Sequence, residues 1–331
     1  MSDLTIELKN VSKTYQFGFL GGVRALRSLT RHLELKGISK TVHAVRSLTL
    51  QVPRGEIYGF LGPNGAGKTT TLKMLMGLVK PSGGNGVILN KSLGDRAARA
   101  RIGYLPEQPY FYEHLTPAEF LHFYGALYGL SHRAMNRRVE ELISMVGLDH
   151  ARKRTLRKFS KGMVQRLGLA QTLINDPDLV ILDEPMSGLD PMGRKTVRDL
   201  IYGLKDKGKT VFFSSHILQD VEMVCDRVGL IQNGALIREG TLNELLDGEN
   251  EQKEVVVRGA PLALTQFSSD MNIETKIQGN RSVFLVDDDT ALHRVLSSLV
   301  DRGIRVQEIS PTKKTLEQLF VELTDTEEGK E

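Results

Sequence analysis

Residues 4–15, LTIELKNVSKTY, alternate apolar and polar side chains, the pattern of a strand with one buried face. A second alternating run, AVRSLTLQVP at 44–53, leads into a turn at Arg54-Gly55-Glu56. The apolar stretch at 57–61 enters a glycine-rich loop and then a helix whose apolar side would be Leu72, Leu75 and Leu78. From about 115 to 175 the spacing is mostly helical. The runs DLVILDEP and TVFFSSH are almost continuously apolar up to their polar ends, as strands covered on both faces are. Strands alternating with helices predict an α/β fold, a mostly parallel sheet with helices on both sides.

Near Asn243 to Gln252 the chain turns polar and acidic, NELLDGENEQ, which predicts a domain boundary. Beyond it strands are expected at EVVVRG, ETKIQG, SVFLVD and RVQEIS, with helices between Ala263 and Ser269 and between Ala291 and Val300. That β-α-β-β-α-β order predicts a small ferredoxin-like α+β unit, closed by the helix TLEQLFVELT.

Composition narrows the class. With 40% hydrophobic and 25% charged residues in 331, the chain is neither disordered nor fibrous, and it has room for more than one core. No stretch reaches the roughly 18 apolar residues of a membrane-spanning helix. The opening MSDLTIELKN lacks an apolar h-region, so no secretory signal is expected. One cysteine, Cys225, excludes an internal disulfide and suits a reducing compartment. The net charge of +4 is too small to argue for nucleic acid. It is also local: within residues 16–41, Arg24, Arg27, Arg31, Lys36 and Lys40 stand against Glu34 alone. There Leu20, Val23, Leu26, Leu29 and Leu33 recur at helical spacing between the arginines. A short basic amphipathic helix follows, lying on anionic headgroups or a partner, or packing its leucines on its own domain.

The strongest chemical signal is Gly62-Pro63-Asn64-Gly65-Ala66-Gly67-Lys68-Thr69, a G-x-x-x-x-G-K-[ST] loop between a strand and a helix. Its glycines let backbone N–H groups converge on phosphate oxygens, Lys68 reaches the β/γ-phosphates and Thr69 offers its hydroxyl to Mg²⁺. Asp183 and Glu184 end the DLVILDEP strand, at the edge where α/β sheets carry ligands. Asp183 would hold Mg²⁺ through water, and Glu184 would polarise an attacking water.

Together these residues resemble the ATP-binding-cassette (ABC) ATPases over roughly residues 4 to 243. Phe159-Ser160-Lys161-Gly162-Met163, followed by Gln165-Arg166, is similar to the family signature. Pro185, Ser187, Gly188, Leu189 and Asp190 resemble the D-loop, Gln108 the Q-loop glutamine and His216 the switch histidine. The resemblance implies an ABC nucleotide-binding domain at 1–243, with an antiparallel β subdomain, the basic insertion 16–41 and a helical subdomain at about 107–175. An accessory α+β domain follows at 251–331.

It further implies ATP and Mg²⁺ as ligands. Catalysis would use Glu184, His216 and Gln108. ATP would meet Tyr15, Gly62, Asn64, Gly65, Gly67, Lys68, Thr69, Thr70 and Asp190, and across a head-to-tail dimer Ser160 and Gly162 of the other chain. The metal would be held by Thr69, Gln108 and Asp183. Two features depart from the family form. Lys161 and Met163 replace Gly and Gln in the signature, and the insertion separates Tyr15, the expected adenine-stacking ring, from Gly62, which leaves Phe17 or another ring as the alternative stacker.

The implied function is the ATPase of a membrane transporter, most readily an exporter with a separate permease subunit, at the inner face of the cell membrane. The dimer would be homo- or heteromeric, and no nucleic acid is expected as partner. The competing readings are an importer ATPase and a non-transport ABC ATPase acting on nucleic acid or ribosomes. The aromatic run Tyr110-Phe111-Tyr112 is expected to present at least one ring outward, whereas Phe120, Phe123 and Tyr124, at helical spacing, are expected in the core.

Overall fold

In the computed structural model the two alternating runs pair as long antiparallel strands, β1 (Leu4–Phe17) and β2 (Lys40–Pro53). The structure describes residues 3–17, 40–246, 253–258, 273, 275–278, 281–311 and 315–328. The chain divides into two units, Met1–Leu242 and Asn243–Glu331. Ile6, Leu8 and Val11 of β1 and Val45, Leu48, Leu50 and Val52 of β2 are buried, as alternation requires. Pairing runs on past Tyr15, with Gln16 opposite Thr41 and Phe17 opposite Lys40. Both ends of the basic insertion are therefore strand, while Arg24, Arg27 and Arg31 lie outside the described residues.

After β2 come β3 (Ile57–Leu61), buried throughout, and α1 (Lys68–Leu75). Leu72 and Leu75 face the core, but Gly77 (φ +67°) turns the chain out of the helix, and Leu78 is 61% exposed. Strands β4 (Gly83–Ile88) and β5 (Lys91–Ser92) extend the first sheet, in the order β2-β1-β4-β5. A short α2 (Arg96–Arg99) precedes β6 (Ile102–Leu105).

Next come α3 (Pro117–Leu127), α4 (His132–Met145) and α5 (Lys161–Thr172). Thr116 and Glu119 form a capping box and Pro117 opens α3, which places its start. Phe120, Leu121, Val139, Leu142, Ile143 and Leu167 are buried side chains of these helices. Phe123 is 41% exposed, contrary to the core placement its spacing suggests. An aromatic ring at helical spacing marks a helix, but the width of its buried face is set by what packs there.

Strand β7 (Leu179–Asp183) is followed by α6 (Pro191–Asp206), β8 (Thr210–Ser215), α7 (Leu218–Glu222), β9 (Arg227–Gln232), β10 (Ala235–Thr241) and α8 (Leu242–Leu246). The second sheet has the order β10-β9-β3-β8-β7-β6 and is parallel except for β10 against β9. Its register sets Leu61 beside Ser215 and Asp183 beside Ser214, so the carboxyl ends of β3, β7 and β8 share one edge. Loops leaving that edge build the site.

In the second unit the strand at Lys253–Arg258 lies between Arg281–Val286 and Val306–Pro311, with Thr275–Gln278 outside Arg281–Val286, all antiparallel. That strand order is the ferredoxin-like one. Helix Asp289–Asp301 covers the sheet with Val295 and Leu299 against Val255, Val257, Phe284 and Val286, and helix Leu316–Glu328 closes the described segment. The helix expected between Ala263 and Ser269 lies outside the described residues.

Candidate functional site

The loop after β3 is closely met by other backbone at its two ends, Gly62 and Gly67. A Cβ on Gly62 would stand 2.2 Å from the carbonyl oxygen of Ile231, and one on Gly67 would stand 2.4 Å from that of Ala44. Gly67 caps α1 at φ +107°, a conformation that L side chains rarely adopt. Gly67→Ala is accordingly expected to lower stability by about 1–3 kcal/mol. The midpoint of urea unfolding measures this, and an unchanged midpoint would show that the loop relaxes freely.

Lys68 is buried at the start of α1. Its Nζ donates to the carbonyl oxygens of Gly62 (2.6 Å) and Pro63 (3.2 Å) and lies 3.4 Å from Glu184 Oε1. Glu184 follows β7 at φ +51°, an unusual conformation for a residue with a side chain. Its other carboxylate oxygen, Oε2, is 2.8 Å from His216 Nδ1, so with a carboxylate as acceptor the ring donates Nδ1–H. The carboxylate is thus clamped between a loop cation and the histidine after β8.

One step back along β7, Asp183 Oδ1 accepts from Ser214 Oγ at 2.6 Å and from Thr69 Oγ1 at 3.4 Å. Burial pushes its carboxyl above the ordinary range, while the Ser214 and Thr69 hydroxyls work the other way. Tyr104, partly buried on neighbouring β6, has its phenol pushed up to about 12 by burial, with the Asp183 charge adding to the effect. Ser214 Oγ also accepts from the Glu184 backbone N–H at 3.0 Å, which fixes the peptide between the two acids. Sequence reasoning missed Ser214. Its signal was a polar residue at the end of a buried strand, just before His216.

The structure thus brings together Gly62, Gly67, Lys68, Thr69, Asp183, Glu184 and His216. Asn64 and Gly65 are exposed on the same loop, and Thr70 continues α1. Gln108 is exposed on the loop after β6 and, among the described residues, makes no hydrogen bond to this cluster. Tyr15 lies on β1 with Lys13 Nζ 5.1 Å from its ring centroid, a cation–π contact.

Ser160 and Asp190 are N-caps. Ser160 accepts from Met163 N–H at 3.4 Å, opening α5, and Asp190 accepts from Gly193 N–H at 3.1 Å, opening α6. Gly162 borders Leu189: a Cβ there would stand 3.9 Å from Leu189 Cδ2. Lys161 lies over Gly188, where any Cβ would collide with its Nζ at 2.0 Å. Buried Gln165 donates to the Pro185 carbonyl at 2.9 Å, tying α5 to the turn after β7. Among the described residues no group of three or more His, Cys, Asp or Glu side chains is placed to hold a metal ion.

Three kinds of comparison with known proteins agree. The family model described as ABC transporter matches residues 45–187. An ABC transporter ATP-binding protein of Synechocystis sp. is 46% identical over 256 residues, covering 77% of this chain and 67% of that one. The bacitracin transport ATP-binding protein of Bacillus licheniformis is 37% identical over 284 residues, covering 85% and 92%. The Nod factor export ATP-binding protein I of Cupriavidus pinatubonensis is 35% identical over 307 residues, covering 91% and 93%. Among solved structures, an ATP-binding subunit of an ABC transporter superposes with a TM-score of 0.60 at 31% identity, over 73% of this chain and 91% of that one.

Proposed function

This chain belongs to the family of ABC transporter ATP-binding proteins, an ATPase whose turnover powers transport across a membrane, and on that premise we propose that it drives export through ATP-dependent closure of a dimer. The observation that carries the catalytic part is the clamp on Glu184, with Lys68 Nζ at 3.4 Å and His216 Nδ1 at 2.8 Å. Phosphoryl transfer needs positioning and charge placement more than covalent chemistry. Glu184 would take the proton of the attacking water, and His216, with Nδ1–H engaged, would turn Nε2 toward the transferred group. Lys68 would exchange its loop carbonyls for phosphate oxygens.

Mg²⁺ fits the donor set, since the Thr69 hydroxyl and Asp183 carboxylate, 3.4 Å apart, are hard oxygen ligands. When bound, it would neutralise phosphate charge. Ser160 and Gly162, at the start of α5, suit the γ-phosphate of a nucleotide on a facing subunit, because helix N-termini favour anions. Gln108 is proposed to reach the metal or the attacking water, and Tyr15 the adenine.

Export is supported by relatives whose names carry bacitracin transport, linearmycin resistance and Nod factor export. The partner would be a separate permease, holding this subunit at the inner face of the membrane. Docking is supported by exposed aromatic rings: Tyr110 is 91% and Tyr112 47% exposed, and the Tyr112 ring lies 5.4 Å from that of exposed Phe123. Between them Phe111 turns inward, its ring 4.7 Å from that of Phe120.

The three substitutions should therefore separate. Tyr110→Ala and Tyr112→Ala are expected to weaken capture of the permease and leave the ATPase of the isolated chain intact. Phe111→Ala is expected to cost about 1–3 kcal/mol of stability. Co-purification from membranes and thermal melts measure both, and full permease capture by both tyrosine variants would move the docking surface elsewhere. Affinity capture of the wild-type chain tests the whole reading: an integral membrane protein supports it, whereas ribosomes or nucleic acid would replace it with a non-transport role.

A further inference from the structure

Beside the Glu184–His216 pair lies a buried charge that the catalytic reading does not use. Asp220, on α7 four residues after His216, is 3% exposed, and among the described residues its Oδ2 has no hydrogen-bond partner. Two arginines of α6 approach it: Arg194 Nη1 lies 3.7 Å from Oδ2 and Arg198 Nη1 lies 3.7 Å from Oδ1. These are ion-pair distances, too long for hydrogen bonds. Arg194 also donates from Nε to the carbonyl oxygen of Leu189 at 3.2 Å. One guanidinium therefore grips the turn at 185–190 and faces the helix that follows His216.

Neither end of this link is loose. Asp190, next to Leu189, caps α6. On the other side α7 lies against β3, where a Cβ on Gly59 would stand 2.8 Å from Val221 Cγ1 and 2.6 Å from Cys225 Sγ. With α7 seated on the strand that leads into the phosphate loop, a shift of the 185–190 turn would reach the His216 segment through Arg194. A buried aspartate held by ion pairs as long as these stabilises less than a well-packed apolar residue would. Burial pushes its carboxyl above the ordinary range, and the charges of Arg194, Arg198 and His216 oppose that only in part.

We propose that Asp220, held by Arg194 and Arg198, is a positioning residue that relays the seating of the 185–190 turn to His216, keeping the histidine aligned on Glu184. The proposal rests on the reading of Glu184 and His216 as the catalytic pair. The test uses the full chain with Asp220→Asn, Asp220→Glu, Arg194→Gln and the Asp220→Asn/Arg194→Gln double variant. It measures kcat and KM for ATP, affinity for a fluorescent ATP analogue, and thermal melts.

Misplacing a catalytic group costs on the order of 10- to 100-fold, so Asp220→Asn and Arg194→Gln should each lower kcat by about that factor with analogue affinity unchanged. The double variant should be no slower than the slower single one, because both break the same link. Asp220→Glu should recover much of the rate, which a packing role would not produce. A kcat for Asp220→Asn within about twofold of the unsubstituted chain, multiplicative losses in the double variant, or no rescue by glutamate would each overturn the relay. If Asp220→Asn does not fold, Arg198→Gln, on a partly exposed arginine, replaces it with the same expected loss of kcat. Glu184→Gln run alongside separates the two levels: normal turnover there sinks the catalytic reading, whereas loss there with normal Asp220→Asn sinks only the relay.

Discussion

Glu184→Gln is expected to retain ATP binding and to lose turnover by about 10²- to 10⁴-fold, the range for removal of a general base. The amide keeps the size of the side chain and a hydrogen bond to His216, so the loop should keep its form. It cannot accept a proton. Closed dimers would then persist, because the step that opens them has stopped. Phosphate release and sizing chromatography with ATP check both halves. The variant should elute as a dimer with ATP and as a monomer without it, and hydrolysis within tenfold of the unsubstituted chain would remove Glu184 from the role of base. The unusual backbone at Glu184, φ +51°, fits a residue held for function, since such strain persists only where the surroundings impose it.

Lys68→Ala should act one step earlier, on binding. The buried ammonium has the Gly62 and Pro63 carbonyls and Glu184 Oε1 as partners. These contacts aim it along the loop, and a side chain so held has little ordering entropy left to lose to a phosphate. A hydrogen bond to a charged partner contributes about 1.5–3 kcal/mol, which predicts a fall in ATP affinity of roughly 10- to 100-fold. The same substitution takes the Lys68 charge away from the Glu184 carboxylate, so a modest drop in melting temperature should accompany it. Titration with a fluorescent ATP analogue decides the matter. Affinity within about twofold of the unsubstituted chain would mean that the glycine-rich backbone holds the phosphates without the lysine.

Much of this site is legible in the sequence. The segment 62–69 announces itself because glycine positions, a lysine and a threonine must be contiguous to wrap one anion, and contiguity is visible in sequence. Asp183 and Glu184 were legible for a similar reason, as acids closing an apolar run. Ser214 was not, because its meaning lies in sharing a register position with Asp183 on the adjacent strand. Nor was the divergence of neighbouring rings, with Tyr110 and Tyr112 outward and Phe111 against Phe120.

By itself, then, the sequence determined the alternating and apolar strands, the α/β succession of elements in the first unit, the succession of strands in the second and the glycine-rich loop that runs into α1. Each is written within a short window, where backbone preference and hydrophobic period act on neighbours along the chain. Only the tertiary structure decided that Lys68 and His216 converge on opposite oxygens of Glu184, that Leu78 and Phe123 face outward, and that Arg194 joins Leu189 to the surroundings of Asp220. Those facts depend on the register between parallel strands and on which helix face meets another element. Both are settled by packing among residues far apart in sequence, and no local pattern carries that information.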